Sequence, residues 1–262
     1  MSQITVACLD MAGTTVADDG TVLAAFTAAA ADAGLVPDVP GYDEALAVVH
    51  ETMGQSKIEV FRRILGDAGR AQRASQVFEA SYAGAVRDGL VTPLPGAAET
   101  ITALRAAGIR VCLATGFSPV TRDAVLDALA WRPLIDLALS PADAGRGRPW
   151  PDLALTALLR LGGGAVSELA VAGDTPSDIE AGLRAGAGVV AGVLTGRGSR
   201  VELERAGAPH ILESVTGLLP LLGLGAAQLA REEPDGPGQG ERPGERERPG
   251  EGERPREDAP RT

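Results

Sequence analysis

Short runs of aliphatic residues recur along the chain at lengths typical of β-strands. They cover residues 4–9, 109–114, 135–139, 169–172 and 189–194. After residue 95 these runs alternate with segments whose apolar residues repeat at helical spacing, and Ser-Pro, Pro-Asp and Thr-Pro pairs mark helix starts. This alternation is typical of βαβ units, in which helices cover a parallel sheet. The pattern predicts an α/β fold with a doubly wound, Rossmann-like parallel sheet.

A long interval with helical signals only separates the first two aliphatic runs. Its helical periodicity falls in four segments, residues 21–33, 42–53, 57–65 and 72–86. The interval is too long for a simple crossover between neighbouring strands. The sequence therefore predicts a helical cap over residues 16–90, inserted after the first strand of a core formed by residues 1–15 and 91–225.

The C-terminal segment has a composition that cannot support a packed core. Residues Glu232–Thr262 hold six Pro, six Gly, eight Glu, two Asp and six Arg, and Ala259 is their only hydrophobic residue. Such a segment buries too little apolar surface to offset the entropy of ordering it. We predict a disordered tail over residues 226–262.

Charge and hydropathy narrow the classes of partner. The 262 residues carry a net charge of −11 and show no basic stripe, which argues against a nucleic-acid partner. The apolar runs are shorter than a membrane span, and the N-terminus lacks a signal-peptide pattern. We expect a cytoplasmic protein without a membrane partner; the sequence does not decide between a monomer and a homodimer.

Cysteine and histidine chemistry is sparse. Cys8 and Cys112 lie inside apolar runs without Cys-x-x-Cys spacing, so we expect reduced core thiols. The two histidines, His50 and His210, are far apart in sequence, which rules out a His-rich zinc site and leaves few candidates for a Ser/His/Asp triad.

The polar residues that follow the predicted strands are the candidates for chemistry. Asp10, Thr115 and Asp174 each follow an aliphatic run, Asp178 comes four residues after Asp174, and Arg148 precedes a helix start. Ligands of open parallel sheets bind at the carboxyl ends of the strands, so these groups should converge. Clustered carboxylates repel one another unless a divalent cation lies among them, and hard oxygen ligands suit Mg²⁺. We therefore expect Mg²⁺ beside a phosphoryl or phosphonyl group.

These motifs, in this order over residues 4–195, resemble the haloacid dehalogenase superfamily. The resemblance implies a haloacid dehalogenase-like core with a cap in the first insertion position. It also implies that Asp10 is a nucleophile that forms an aspartyl-phosphate, that Thr115 hydrogen-bonds the transferring group, and that Arg148 stabilises its negative charge.

The same resemblance implies the ligands of the metal ion. Mg²⁺ would be held by Asp10, the backbone carbonyl of Ala12 and Asp174, with Asp178 in support.

Ala12 is the informative departure from the superfamily pattern. Most phosphatases of this superfamily have a second Asp two residues after the nucleophile, and it protonates the leaving alkoxide. Loss of a positioned general acid costs about 10²- to 10⁴-fold in rate. Either this site is impaired or its leaving group needs no proton from residue 12.

Lys57 bears on that choice, because it is the only lysine among 24 basic residues. An amine can lose its proton and form a Schiff base, which a guanidinium cannot do. Asp-Met-Ala-Gly-Thr-Thr at residues 10–15, Met-Gly-Gln-Ser-Lys-Ile at 53–58 and Gly-Arg-Pro at 147–149 resemble the phosphonoacetaldehyde hydrolase branch. This resemblance implies substrate contacts at Ala12, Gly13, Met53 and Gly116, although Met53 could equally be core packing.

The resemblance leads to a mechanistic hypothesis. Lys57, with its pKa lowered by burial at the cap interface, condenses with an aldehyde carbonyl. Asp10 then attacks phosphorus and expels an enamine, so no general acid is needed at residue 12.

Other functions stay open at this stage. The branch has His three residues after the Lys and Tyr after the Thr-Gly of the second motif, where this chain has Val60 and Phe117. One alternative is therefore a Mg²⁺-dependent phosphomonoesterase, for example of phosphoglycolate, in which Lys57 only binds the substrate. A dehalogenase, which needs no metal, fits less well, and a non-catalytic member would be expected to have lost these carboxylates.

Overall fold

A single parallel sheet forms the centre of the molecule in the computed structural model, which describes residues 3–224. Its strand order is β3-β2-β1-β4-β5-β6, and every neighbouring pair is parallel. The strands are β1 (Val6–Asp10), β2 (Arg110–Ala114), β3 (Leu137–Leu139), β4 (Leu169–Gly173), β5 (Val189–Val193) and β6 (His210–Leu212). The predicted α/β class is confirmed. The hydrophobic pattern missed β6, which has three half-buried residues and lies at the edge of the sheet.

The helices cover both faces of this sheet. They are α1 (Thr21–Asp32), α2 (Tyr42–Glu51), α3 (Lys57–Leu65), α4 (Ala68–Arg87), α5 (Ala97–Ala106), α6 (Pro119–Ala128), α7 (Pro141–Ala144), α8 (Asp152–Arg160), α9 (Pro176–Ala185), α10 (Arg200–Arg205) and α11 (Leu218–Leu221). Within β1, Ala7 and Leu9 belong to one hydrophobic cluster, and Val6 and Cys8 to another. Burial on both faces explains why the strands read as continuous apolar runs.

Helices α1 to α4 fill the interval between β1 and α5, where the sequence predicts a cap. The two chain segments that lead into and out of this interval pair with each other. Ala17 N donates to Thr92 O at 2.8 Å, and Val16 forms an antiparallel bridge with Pro93. The helices pack around Phe26, whose ring centroid lies 5.2 Å from that of Phe61 and 4.8 Å from that of Phe78.

Three further predictions concern the cysteines, membrane-spanning helices and the tail. Cys8 and Cys112 are buried, free and in register on β1 and β2. Within residues 3–224, no helix has the length and apolar character needed to cross a bilayer. The tail predicted for residues 226–262 lies outside the described residues.

Candidate active site

Asp10 is the last residue of β1 and lies buried at the carboxyl edge of the sheet. The following turn is closed by Thr15, whose Oγ1 donates to Asp10 O at 2.8 Å. Gly13 in this turn has φ +89°, and a Cβ there would lie 2.6 Å from Asp174 Oδ2. Only glycine therefore allows the turn to approach the carboxylate that follows β4.

Arg148 connects Asp10 to the rest of the site. Its Nη1 lies 2.8 Å from Asp10 Oδ1, and its Nε lies 2.7 Å from Asp178 Oδ1. Its Nη2 donates to Ala114 O at 2.8 Å, and Nη1 also donates to Gly54 O at 3.2 Å. One buried guanidinium thus bridges two carboxylates, the end of β2 and the segment that precedes α3.

Three carboxylates meet where β1 and β4 end. Asp10, Asp174 and Asp178 each place an oxygen within 4.8 Å of the others. Asp178 sits in the first turn of α9, where it caps the helix together with Thr175. Asp174 accepts hydrogen bonds from Arg197 N at 2.8 Å and from Thr14 Oγ1 at 3.3 Å.

The segment between α2 and α3 presses directly onto the core. Lys57 N donates to Gly116 O at 3.3 Å, and Gln55 Nε2 donates to Ser177 Oγ at 3.2 Å. A Cβ on Gly116 would lie 2.2 Å from Gln55 O, and a Cβ on Gly54 would lie 2.6 Å from Thr175 Oγ1. These approaches require glycine, and they place this segment in direct contact with the sheet edge.

Lys57 begins α3 and is 6% exposed. Its Nζ lies 5.3, 5.8 and 5.4 Å from the ring centroids of Phe26, Phe78 and Phe117. Burial lowers the pKa of Lys57 to about 8, although the carboxylates of Asp10 and Asp18 oppose the shift. An amine in this setting can be neutral and nucleophilic close to neutral pH.

A small, partly open cavity brings the candidate residues together. It contains about 330 Å³ of space not filled by atoms, open solvent included. Of the residues singled out from the sequence, its lining includes Asp10, Ala12, Met53, Lys57, Thr115, Gly116 and Asp174. Gly13, Arg148 and Asp178 lie behind that lining and contact it through the interactions described above. Met53 lines the cavity and also packs in the hydrophobic core.

Buried carboxyl groups dominate the electrostatics of the cavity. Burial raises the pKa of Asp10 to about 7, against the opposing effect of Arg148. Burial and the neighbouring carboxylates Asp10 and Asp178 also raise the pKa of Asp174 well above its usual range. Thr115 adds a hydroxyl at the end of β2, and its Oγ1 accepts from Phe117 N at 3.2 Å.

Comparison with known proteins agrees with this arrangement. Residues 4–186 match the family profile of haloacid dehalogenase-like hydrolases. The chain belongs to this hydrolase family. The match extends from the start of β1 through the helical insertion to the end of α9, so it includes Asp10, Lys57, Thr115, Arg148, Asp174 and Asp178.

Relatives of this hydrolase include a phosphonoacetaldehyde hydrolase of Pseudomonas putida, 35% identical over 124 residues, which are 46% of this chain and 45% of that protein. The chain spans about half the length of the curated relatives it matches. A hydrolase from Pseudomonas syringae shares the fold with a TM-score of 0.71 and 28% identity, over 84% of this chain and 98% of that one. A phosphonoacetaldehyde hydrolase-like protein from Oleispira antarctica has the same TM-score and identity, over 88% and 96%.

The buried carboxylates suit the divalent cation that this hydrolase family implies. Arg148 neutralises charge on Asp10 and Asp178, but within residues 3–224 no Arg or Lys forms a salt bridge with Asp174. Clustered carboxylate oxygens, among which Asp174 has no basic partner, form the donor set that Mg²⁺ prefers. The residues present therefore fit a magnesium site.

Two charged residues of the cavity wall were missed by the sequence reasoning. Asp18 and Arg197 both line the cavity, and Arg197 Nε lies 3.6 Å from Asp18 Oδ2. Arg197 follows β5, so inspection of that strand end would have found it. Asp18 precedes α1 and accepts from Val22 N at 2.9 Å, so its sequence signal is that of an ordinary residue near a helix start.

Proposed function

We propose that this hydrolase cleaves the carbon–phosphorus bond of phosphonoacetaldehyde, with Lys57 forming a Schiff base and Asp10 accepting the phosphoryl group. The observation that carries the proposal is the buried amine of Lys57, which lines the same cavity as the Asp10 carboxylate and has a pKa lowered to about 8. The names of the Pseudomonas putida and Oleispira antarctica relatives support it.

The first half of the reaction activates the substrate. The neutral amine of Lys57 adds to the aldehyde carbon to form a carbinolamine, and uptake of one proton from solvent with loss of water leaves an iminium ion. An Asp10 oxygen then attacks phosphorus. The carbon–phosphorus bond breaks, and its electron pair forms the enamine double bond while the iminium nitrogen becomes neutral.

The second half restores both residues. The enamine takes a proton on carbon, and water hydrolyses the resulting iminium to acetaldehyde and free Lys57. Another water hydrolyses the aspartyl-phosphate to phosphate and free Asp10. The leaving group is an enamine and not an alkoxide, so it needs no proton from residue 12. Ala12 in place of a general acid is therefore compatible with the reaction.

The remaining residues bind and orient the reacting group. Thr115 would hydrogen-bond the phosphonyl oxygens, and Arg148 would hold Asp10 in line while balancing its charge. Ala12, Gly13, Met53 and Gly116 would bound the substrate. Mg²⁺, when bound, would neutralise charge on the phosphorus group.

The ligands of that Mg²⁺ would be Asp10, the Ala12 carbonyl and Asp174, with Asp178 in support. We further propose that residues 16–90 act as a cap that closes the cavity and excludes water during turnover.

Reductive trapping tests the Schiff base directly. Borohydride added during turnover of phosphonoacetaldehyde should leave a two-carbon adduct, detectable by mass spectrometry on Lys57, the only lysine of the chain. Lys57→Arg keeps the positive charge but cannot form an imine, and it should abolish phosphate release.

A matched control moves the amine out of the cavity. Arg63, on the same helix, is exposed and pairs with Glu51. The double variant Lys57→Arg/Arg63→Lys retains one lysine, and this lysine should not be trapped under the same conditions. Carbon–phosphorus cleavage that persists in Lys57→Arg would contradict the proposal. Release of phosphate from phosphoglycolate but not from phosphonoacetaldehyde would identify a phosphomonoesterase instead.

A further inference from the structure

Asp18 lies between the cavity and a second pocket at the surface. It lines the cavity together with Lys57, and it lines the second pocket together with Asp19, Thr195 and Gly196. Asp19 and Gly196 are exposed, so this outer pocket is open to water. The side chain of Asp18 itself is only 6% exposed. One largely buried carboxyl group therefore borders both the cavity and a pocket that solvent can enter.

The two oxygens of Asp18 have different surroundings. Oδ1 accepts from Val22 N at 2.9 Å, whereas Oδ2 lies 3.6 Å from Arg197 Nε, a separation longer than a hydrogen bond. Burial raises the pKa of Asp18, although the hydrogen bond to Oδ1 and the facing charges of Arg197 and Lys57 oppose the shift. A raised pKa brings the carboxyl group closer to the pH at which it can both release and accept a proton.

The other titratable groups of the cavity already have roles in the proposed reaction. Within residues 3–224, the carboxyl and amino groups of the lining are those of Asp10, Asp18, Lys57 and Asp174. Asp10 attacks phosphorus, Lys57 forms the Schiff base, and Asp174 would hold Mg²⁺. The threonine hydroxyls and the arginine guanidinium of the lining can donate hydrogen bonds, but they keep their protons near neutral pH. Asp18 is therefore the lining group left to transfer a proton.

The formation of the Schiff base needs such a transfer at a defined atom. The carbinolamine on Lys57 loses its hydroxyl group as water only when the hydroxyl oxygen receives a proton. A positioned general acid accelerates a step of this kind by about 10²- to 10⁴-fold.

We propose that Asp18 is a further catalytic residue, which passes a proton from solvent to the hydroxyl oxygen of the carbinolamine on Lys57. This assignment rests on the proposed function and deepens it. The carboxyl proton moves to that oxygen, the carbon–oxygen bond breaks, water leaves, and the nitrogen lone pair forms the iminium double bond. The Asp18 carboxylate then takes up a proton from water in the outer pocket. When the product iminium is hydrolysed, the same steps run in reverse and the proton returns to solvent.

The test follows cyanoborohydride trapping of the iminium with phosphonoacetaldehyde in Asp18→Asn. Asparagine keeps an oxygen that can accept from Val22 N, but it cannot transfer a proton. In the unmodified chain, rapid dehydration leaves amine addition to set the trapping rate. In Asp18→Asn dehydration becomes the slow step, and the rate at pH 8 should fall roughly 10²-fold.

The pH profile of Asp18→Asn should change as well. Between pH 6 and pH 8 the neutral fraction of Lys57 increases, while the solvent acid that must now supply the proton decreases in the same proportion. The two trends cancel, so the trapping rate should no longer rise in this range. A role through charge alone gives the opposite result: the Asp18 carboxylate raises the pKa of Lys57, so its loss would leave trapping at pH 7 unchanged or faster.

Asp19→Asn is the matched control. Asp19 is exposed and lines the outer pocket without being part of the cavity lining. Its substitution removes a neighbouring carboxylate, and both the trapping rate and the pH profile should stay as in the unmodified chain.

Chemical rescue separates proton transfer from the structural role of the hydrogen bond to Val22 N. Asp18→Ala removes the carboxyl group together with this hydrogen bond and leaves space beside the outer pocket. Added formate should restore part of its trapping rate, because a small carboxylic acid can supply the proton without restoring the bond to the backbone.

Two results would overturn the assignment. The first is a trapping rate in Asp18→Asn that equals or exceeds that of the unmodified chain. The second is a slower rate that keeps the original pH profile, with no rescue of Asp18→Ala by formate, since that pattern indicates a structural role. Both results leave the Schiff base intact, whereas absence of any adduct in the unmodified chain would remove the proposed function and this assignment together.

Discussion

Lys57 lies in the interval predicted as a cap, and its surroundings favour the neutral form of its amine. Three phenylalanine rings keep water away from Nζ, and the carboxylates that oppose the shift do not fully replace the lost hydration. The ammonium is therefore less stable than in water, and at a pKa of about 8 roughly one tenth of the amine is neutral at pH 7. An arginine in this position would stay charged and could not act as the nucleophile.

The pH dependence of trapping follows from this shift. The neutral amine is the reactive form, so below pH 8 the trapping rate should rise about tenfold per pH unit and level off above it. Initial rates of adduct formation between pH 6 and pH 10 measure this profile. A rate that keeps rising toward pH 10, as for a lysine in water, would contradict a lysine desolvated in the folded enzyme.

The loop between α2 and α3 forms part of the cavity wall. Its backbone lies against the loop that follows β2 and the start of α9, with no room for a side chain at Gly116 or Gly54. The contact also includes the hydrogen bond from Arg148 to Gly54 O, so the same guanidinium that pairs with Asp10 touches this loop. The position of the loop and the position of the Asp10 carboxylate are therefore physically connected.

Gly116→Ala tests this connection. Its methyl group would meet Gln55 O, and relief of the clash requires the loop to move away from the core. We expect kcat/KM to fall about 10- to 10²-fold, because misplacing a catalytic group by about an ångström has an effect of this order. Lys57 should also react faster with an amine-acylating reagent, which can be followed by mass spectrometry.

Gly84→Ala is the control substitution for Gly116→Ala. Gly84 lies within α4, where a Cβ would meet only Arg87 Nη2 at 3.8 Å. Alanine there should stabilise the helix by up to ~1 kcal/mol and leave both activity and acylation unchanged. Equal acylation rates for the Gly116→Ala and unmodified chains would show that the loop is not held by this contact.

The candidate metal site is a property of the whole molecule, because its carboxylates come from β1 and from the β4–α9 connection. They meet since β1 and β4 are neighbours in the sheet. In the unfolded chain Asp10 and Asp174 are far apart, so a cation held by both stabilises only the folded state.

Mg²⁺ should therefore raise the melting temperature. At a concentration 100 times its Kd, a ligand of the folded state adds about 2.7 kcal/mol to the free energy of unfolding. For a body of this size the shift is roughly 5–10 °C. EDTA should reverse it, and Asp174→Asn should remove it. Glu213→Gln, at an exposed salt bridge with Arg200, is the control and should keep it. A full shift in Asp174→Asn would place the cation elsewhere.

Local patterns in the sequence were sufficient to predict most strands, the helical intervals and the order of the motifs. The aliphatic runs located β1 to β5 to within two residues at each end, and helical spacing located α3 at its observed bounds. These features depend on hydrogen bonds between near neighbours and on which positions are apolar, and both can be predicted from the local sequence. The identities of Asp10, Ala12 and Lys57 pointed to phosphorus chemistry for the same reason, since reactivity belongs to the side chain.

The tertiary structure alone decided which of these groups meet. The strand order places β1 between β2 and β4, and the loop between α2 and α3 brings Lys57 into the Asp10 cavity. The pairing of Asp18 with Arg197 has no local signal. It depends on packing between segments that are distant in sequence, where shape and burial govern the contact. The same packing lowers the pKa of Lys57, because desolvation arises only once the rings of α1, α4 and the β2–α6 loop surround it.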